Sequence, residues 1–298
     1  MTRRGLFAPA LGALAAACSP LGLLNAAGPR DRGARRVARS VAYGSGPRQA
    51  MDVFAPDLAP GETAPVLVFF YGGGWDSGSR GLYGWAAQAL AAQGFVVVMP
   101  DYRLAPDALF PIFIEDAAAA TTRAAEIAPH HGGDPERLGV IGHSAGAHLA
   151  MMITLDRRYM AAVGRPDLIR AAAGLAGPYE FLPFDVPASI QAFGRAPDPL
   201  MTQPITFARA DAPPLWLGHG TEDVVVHAED TTLLNDRMHA VGGRSEAKLY
   251  PGLNHADLIA VFSPLFRDKA PVLADVAAFL HRELGWVRQG RSVARPAA

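Results

Sequence analysis

Short apolar runs separated by longer amphipathic stretches recur along the chain. Residues 66–70, 95–99, 138–141, 171–175, 215–217 and 247–250 show little polar alternation, which predicts strands buried on both faces. Between them, Leu82, Trp85, Ala89 and Leu90 share one helical face with Gly94 as a stop, and Val272, Val276, Phe279 and Leu280 repeat that spacing ahead of Gly285. Residues 113–127 predict a further, alanine-rich helix. The alternation predicts an α/β fold, a mostly parallel central sheet flanked by helices, with its first strands between Val41 and Val53. Two stretches interrupt it. The basic segment from Arg30 to Arg39 reads as part of a linker over 28–39. The segment near 181–205, with Pro183, Pro187, Pro197, Pro199 and Pro204, has no clean period and reads as a small irregular cap insertion.

Composition narrows the function classes. A chain of 298 residues, 50% hydrophobic, can bury the core of one large domain, here expected over 40–286 with a tail at 287–298. Its 27 basic and 28 acidic residues leave a net charge of −1 without long runs of one sign, so nothing marks an electrostatic nucleic-acid surface. The expected partner is a small molecule. Residues 1–27 differ in character: a charged start at Arg3 and Arg4, an apolar run over 5–17 too short to span a bilayer, and small residues up to Ala26 and Ala27. These features predict an export signal and a periplasmic or secreted protein. Cys18, the only cysteine, rules out an intramolecular disulfide, and its setting in Leu14-Ala15-Ala16-Ala17-Cys18-Ser19 resembles a lipoprotein cleavage box. Simple cleavage near Ala26 or Ala27 is the competing expectation.

The chemistry centres on Gly142-His143-Ser144-Ala145-Gly146, which lies between a predicted strand and a predicted helix. A serine on such a turn is strained into exposure, glycines beside it avoid collisions with strand and helix, and the helix N-terminus favours negative charge. Just past another strand, Tyr71-Gly72-Gly73-Gly74-Trp75 lets the backbone approach a ligand. Gly73 and Gly74 are candidate oxyanion-hole donors, with Ala145 completing the set. A hydrolytic serine needs a base and a group to orient it, in the chain order serine, acid, histidine. Asp223 and His255 follow in that order, with Glu222 as a fallback acid. Of the other histidines, His130 and His131 read as surface residues, His143 and His148 as local packing or hydrogen-bonding groups, and His219 as the start of a glycine turn. No pair has zinc-ligand spacing, and neither metal nor cofactor is expected. Arg103 with Asp101 or Asp116 reads as a structural ion pair. Trp75, Tyr179, Phe181 and Phe193 are candidates to line the substrate pocket, with ordinary core as the competing reading.

Taken together, Gly-Gly-Gly-Trp at 72–75, Asp-Tyr-Arg-Leu-Ala-Pro at 101–106, Gly-His-Ser-Ala-Gly-Ala-His at 142–148 and the Asp223 and His255 loops resemble the α/β-hydrolase carboxylesterases. The likeness is to the hormone-sensitive-lipase-like group, and particularly to the bacterial feruloyl-, acetyl-esterase- and kynurenine-formamidase-like hydrolases. The resemblance spans about 40–285. It implies a serine hydrolase acting on carboxylic esters through Ser144, His255 and Asp223, and the short cap favours short acyl chains or acylated sugars over long triglycerides. A formamidase-like amidase, or a non-catalytic binding protein on the same scaffold, is the alternative. Three departures stand out: Tyr71 replaces the usual histidine, His143 replaces the aspartate of the lipase group, and the N-terminal helical cap is missing.

Overall fold

The apolar runs become the centre of one eight-stranded sheet in the computed structural model, which describes residues 24–25 and 27–285. The strands are β1 (Ala34–Ala42), β2 (Ala50–Pro56), β3 (Ala64–Phe70), β4 (Val96–Pro100), β5 (Gly133–His143), β6 (Ala171–Leu175), β7 (Leu215–Gly220) and β8 (Ser245–Tyr250). Their order is β1-β2-β4-β3-β5-β6-β7-β8. β2 runs antiparallel to both neighbours, and β3 to β8 are parallel. Every residue of β3, β4 and β6 is buried, as two-sided cover by helices requires. The expected leader, Cys18 and the tail at 287–298 lie outside the described residues, apart from positions 24, 25 and 27. No helix among the described residues is long and apolar enough to cross a membrane.

Eight helices of the described residues fill the connections: α1 (Arg80–Ala92), α2 (Ile112–Ile127), α3 (Ala145–Leu155), α4 (Arg157–Ala162), α5 (Pro187–Phe193), α6 (Ala228–Ala240), α7 (His255–Ala260) and α8 (Val272–Glu283). α1 packs on β1, β2 and β4, whereas α3 packs on β3, β5 and β6. Helix α3 is buried along its whole length, so its sequence carries no polar face. The 181–205 insertion is less irregular than its prolines imply, because Pro187 opens α5 and Pro199 and Pro204 each start a short 3-10 turn.

The 28–39 linker is a correction: residues 34–39 belong to β1. Its Ala34, Arg36 and Ala38 are more buried than the residues between them, a period-two pattern on an edge strand. Arg35 and Arg39 lie on the exposed side, a charged edge of the kind that discourages sheet-to-sheet association, and the arginines masked the strand in the sequence. Arg36 pairs with Asp52 at 2.9 Å, and Arg35 with Asp57 at 2.6 Å.

Register places the ends of the parallel strands level. Phe70 pairs with Gly142, His143 with Leu175, Leu175 with Gly218, and Gly220 with Tyr250. The loops that leave β3, β5, β6, β7 and β8 therefore emerge along one edge of the sheet, where open α/β sheets hold their ligands. Beside this edge, Arg80 joins two carboxylates that are almost fully buried. Its Nε donates to Asp52 at 3.0 Å, its backbone N–H donates to Asp101 at 2.7 Å, and its guanidinium pairs with Asp101. Arg80→Ala removes the guanidinium from both carboxylates, leaving Asp52 to Arg36 and Asp101 to the backbone amide of residue 80, and is expected to lower the unfolding free energy by about 2 kcal/mol, read from urea denaturation.

Candidate active site

The serine turn is tightly packed. A Cβ on Gly142 would collide with the Gly146 carbonyl, and one on Gly146 with the carbonyls of Phe70 and Tyr71. Only with glycine at both positions can β5 turn into α3 while touching β3. Ser144 sits at φ 56°, ψ −127°, a conformation that costs a non-glycine residue about 1–3 kcal/mol. Hydrogen bonds hold it there: its N–H donates to the Leu175 carbonyl at 2.8 Å, and its own carbonyl accepts from the Ala147 amide at 2.8 Å. The hydroxyl stands above the end of β5, beside the first turn of α3.

His255 reaches that hydroxyl from the first position of α7, with Nε2 2.9 Å from Ser144 Oγ. Its Nδ1 lies 2.7 Å from Asp223 Oδ2. An ionised carboxylate only accepts, so Nδ1 carries the proton and Nε2 is free to accept the serine hydroxyl. The structure thus brings Ser144, His255 and Asp223 into one hydrogen-bonded chain. Glu222, the fallback acid, is exposed, and its amide donates to the Leu253 carbonyl at 3.0 Å. That bond laces the acid loop to the histidine loop, as does the Gly252 amide donating to Thr221 Oγ1 at 3.1 Å.

Asp223 receives two more kinds of donor. Its Oδ1 accepts the amides of Val225 and Val226 at 2.9 and 3.0 Å, and its Oδ2 lies 3.2 Å from His219 Nε2. Burial pushes its pKa up, but hydrogen bonds from His219, His255 and the Val226 amide outweigh that and hold it well below the ordinary carboxylate range. His219 was legible in the sequence only as the residue before a glycine. The sequence shows only its spacing, four residues before Asp223, while its burial and its contact with the acid appear in the fold alone.

His143 is buried behind the serine. Its Nε2 lies 3.2 Å from the His255 carbonyl, an acceptor, so Nε2–H donates there and Nδ1 accepts from the Tyr83 hydroxyl at 3.3 Å. Burial, with the nearby His255, lowers the His143 pKa to about 3. His148 is similar: Nδ1 accepts from the Trp75 indole at 3.3 Å, Nε2–H donates to the Thr202 carbonyl at 2.8 Å, and burial lowers its pKa to about 4.

The glycine loop runs against the serine. A Cβ on Gly72 would stand 2.9 Å from Ser144 Cβ and 3.0 Å from His143 Nδ1. Gly73, Gly74 and Trp75 all have positive φ, 141°, 57° and 62°. The Gly73 carbonyl accepts from the Asp76 and Ser77 amides and the Ser77 hydroxyl, so it is turned into the loop. The amides of Gly73 and Gly74 make no hydrogen bond among the described residues, and Ala145 begins α3, where an N–H has no carbonyl one turn earlier to meet. Tyr71 braces this loop in place of a histidine. Its ring stacks on Tyr102 with centroids 4.7 Å apart, and its hydroxyl accepts from Arg48 at 2.7 Å. Arg48 also donates to the Tyr102 and Gly78 carbonyls at 2.9 and 2.8 Å, and the Tyr102 hydroxyl donates to the Tyr71 carbonyl at 2.9 Å.

The pocket expectation needs correcting. Tyr179 is fully buried beside Gly174 and Gly177 and is core. Trp75 and Phe193 are also buried, packed edge to face at 4.7 Å, and only Phe181 of the four is partly exposed, stacked on Trp75 at 5.6 Å. These rings fill the space behind the glycine loop. Large apolar residues from three segments attract one another here before they can line an opening. Ala188 of α5 closes over the same loop, 3.3 Å from where a Gly74 Cβ would stand. Arg103 resolves to Asp116, which it grips through Nε and the guanidinium end at 2.7 to 3.1 Å. Among the described residues no cluster of three or more histidine, cysteine, aspartate or glutamate side chains is placed to hold a metal.

Comparison with known proteins adds the following. Residues 51–185 match a family model described as BD-FAE. Esterase LipC of Mycobacterium tuberculosis is 33% identical over 237 residues, covering 73% of this chain and 59% of its own. Isoprenylcysteine alpha-carbonyl methylesterase ICME of Arabidopsis thaliana is 27% identical over 271 residues, covering 84% of this chain and 63% of its own. The chain spans less than two thirds of the length of these curated relatives. Among solved structures, esterase B from Lactobacillus rhamnosis superposes with a TM-score of 0.76 at 21% identity, covering 91% of this chain and 95% of that one. A truncated carbohydrate esterase from gut microbiota gives 0.75 at 19% identity, covering 87% and 100%.

Two buried neutral imidazoles have a consequence for stability. The folded pKa values of His143 and His148 lie below the usual 6.5, so only the unfolded chain takes up their protons as pH falls. Their contribution is complete above about 6.5 and is lost progressively toward 4 and 3. Lowering the pH from 7 to 5 is expected to cost about 3–4 kcal/mol of unfolding free energy from these two groups, checked by urea titrations at both values. Equal stability at the two values would contradict it.

Proposed function

We propose that this chain, whose fold is that of the α/β-hydrolases, is a carboxylic ester hydrolase working through an acyl-enzyme on Ser144. The observation that carries the reading is the unbroken chain of contacts from Ser144 Oγ to His255 to Asp223, at 2.9 and 2.7 Å. Ser144 Oγ attacks the ester carbonyl while His255 Nε2 takes the hydroxyl proton. Negative charge on the carbonyl oxygen is met by the amides of Gly73, Gly74 and Ala145. His255 then gives the proton to the leaving alcohol, the C–O bond breaks, and the acyl group remains on Ser144. Water enters, loses a proton to His255 and attacks the acyl carbon; His255 returns that proton to Ser144 Oγ as the acyl C–O bond breaks, releasing the acid and the free serine. Asp223 keeps His255 in the tautomer that both halves need and stabilises the imidazolium between them.

The names of the similar curated proteins, an esterase and a methylesterase, support an ester over an amide bond. The filled aromatic cluster of Trp75, Phe181 and Phe193, with Ala188 against Gly74, supports short acyl groups, because little space is left behind the glycine loop. The leader-like residues 1–27 support an exported enzyme, and Cys18 would carry lipid only if its cleavage box is used.

Purified protein is expected to hydrolyse p-nitrophenyl acetate and butyrate in preference to the palmitate, to leave N-formylkynurenine largely uncleaved, and to be labelled at Ser144 by a fluorophosphonate. Ser144→Ala should remove the labelling and lower kcat by about 10⁴-fold or more while the protein stays folded. Wild-type turnover in Ser144→Ala overturns the reading, and an unlabelled, inactive wild type would favour a binding protein.

A further inference from the structure

Asp223 Oδ2 faces two imidazoles. One is His255 Nδ1 at 2.7 Å, already part of the proposed relay, and the other is His219 Nε2 at 3.2 Å. His219 has no solvent exposure, and its ring is held at both ends. Nε2 lies between two acceptors, Asp223 Oδ2 and the Val226 carbonyl at 3.0 Å, so that nitrogen carries the hydrogen. Nδ1 is then the acceptor in the neutral ring, and the Thr231 hydroxyl of α6 donates to it at 2.8 Å. Hydrogen bonding therefore runs inward from α6 through β7 to the acid: Thr231, His219, Asp223, His255, Ser144.

We propose that His219 is a positioning residue of this relay, acting through Asp223 to set how strongly the carboxylate holds the His255 proton. The proposal rests on the esterase reading above. A carboxylate oxygen that accepts two hydrogen bonds is a weaker partner to each than one that accepts a single bond. The Val225 and Val226 amides fix the other oxygen, so loss of His219 leaves the carboxylate in place. It also leaves Oδ2 to His255 alone, and the His255 imidazolium becomes more stable relative to the imidazole. The base then loses its proton only at higher pH. The titratable groups around His219 are Asp223 from its own loop, Asp230 of α6, His255 of α7 and His143 of β5. Among the described residues none of them donates to Asp223 Oδ2 beyond the one bond His255 already makes.

The test is the pH profile of kcat/KM on p-nitrophenyl acetate for the wild type, His219→Leu, His219→Gln and Thr231→Val. In His219→Leu the acid limb should move to higher pH by about half a unit to one unit, the effect of one lost hydrogen bond to a charged group, with KM within about twofold of wild type. His219→Gln, which keeps an N–H donor, should bring the limb most of the way back. Thr231→Val, which leaves Nδ1 without its donor and weakens the opposite N–H, should move it in the same direction as His219→Leu but less far. A purely structural histidine would change only thermal stability. The proposal is overturned if the acid limb of His219→Leu stays within about 0.1 unit of wild type or moves down, or if Gln shifts it as far as Leu does. If His219→Leu does not fold, an unmoved limb in Thr231→Val overturns it instead. An inactive wild type, unlabelled by fluorophosphonate, would overturn the esterase reading and this proposal with it; an active wild type with unmoved limbs overturns this proposal alone.

Discussion

A single close packing arrangement governs the active region: β5 turns into α3 against the end of β3, with bare glycine Cα atoms where the three backbones meet. Gly142 and Gly146 leave no room for a methyl group, and the residue between their neighbours is driven to positive φ. The strain at Ser144 is sustained because β5 lies at the middle of the sheet, between β3 and β6, and α3 is buried on all sides. A surface loop with the same five residues would relax. The hydroxyl is thus presented by the core of the fold, and every other group at the site is arranged relative to it.

The surrounding loops are held in the same way, by buried polar contacts. Tyr71, Tyr102 and Arg48 tie the glycine loop to the ends of β3 and β4, while Arg80 neutralises Asp52 and Asp101 beneath them. On the other side, the acid and histidine loops are stitched together through Thr221, Glu222, Gly252 and Leu253. A base that must meet a serine within hydrogen-bonding distance cannot sit on freely moving loops. Here each of the three loops is crossed by at least one hydrogen bond from a different part of the chain.

Most of the architecture was legible because two-sided burial leaves a simple mark. The runs at 66–70, 95–99 and 171–175 coincide with β3, β4 and β6 almost residue for residue. β1 escaped because an edge strand must carry charge, and five arginines between Arg30 and Arg39 look like a linker when only apolar runs are counted. At the site, Ser144, Asp223 and His255 could be picked out by motif and chain order, and the structure brings them together. The pocket could not be read, because whether Trp75, Tyr179 and Phe193 line a cavity or fill it depends on the distances between segments far apart in sequence. The contacts of His219 and His143 were hidden for the same reason: a lone histidine in a sequence does not say which carboxylate or carbonyl it will face.

The hydrogen bonds made by His148 link three separate parts of the chain. Its ring joins the Trp75 indole, at the end of the glycine loop, to the Thr202 carbonyl in the insertion, and it is itself carried by α3. Thr202 is buried, and Phe193 anchors the neighbouring α5 among the same aromatic rings. The insertion is therefore tied to the glycine loop through a side chain of the buried helix. One ring thus fixes both the end of the glycine loop and the insertion to the same buried helix, so a displacement of either segment must be felt by the other.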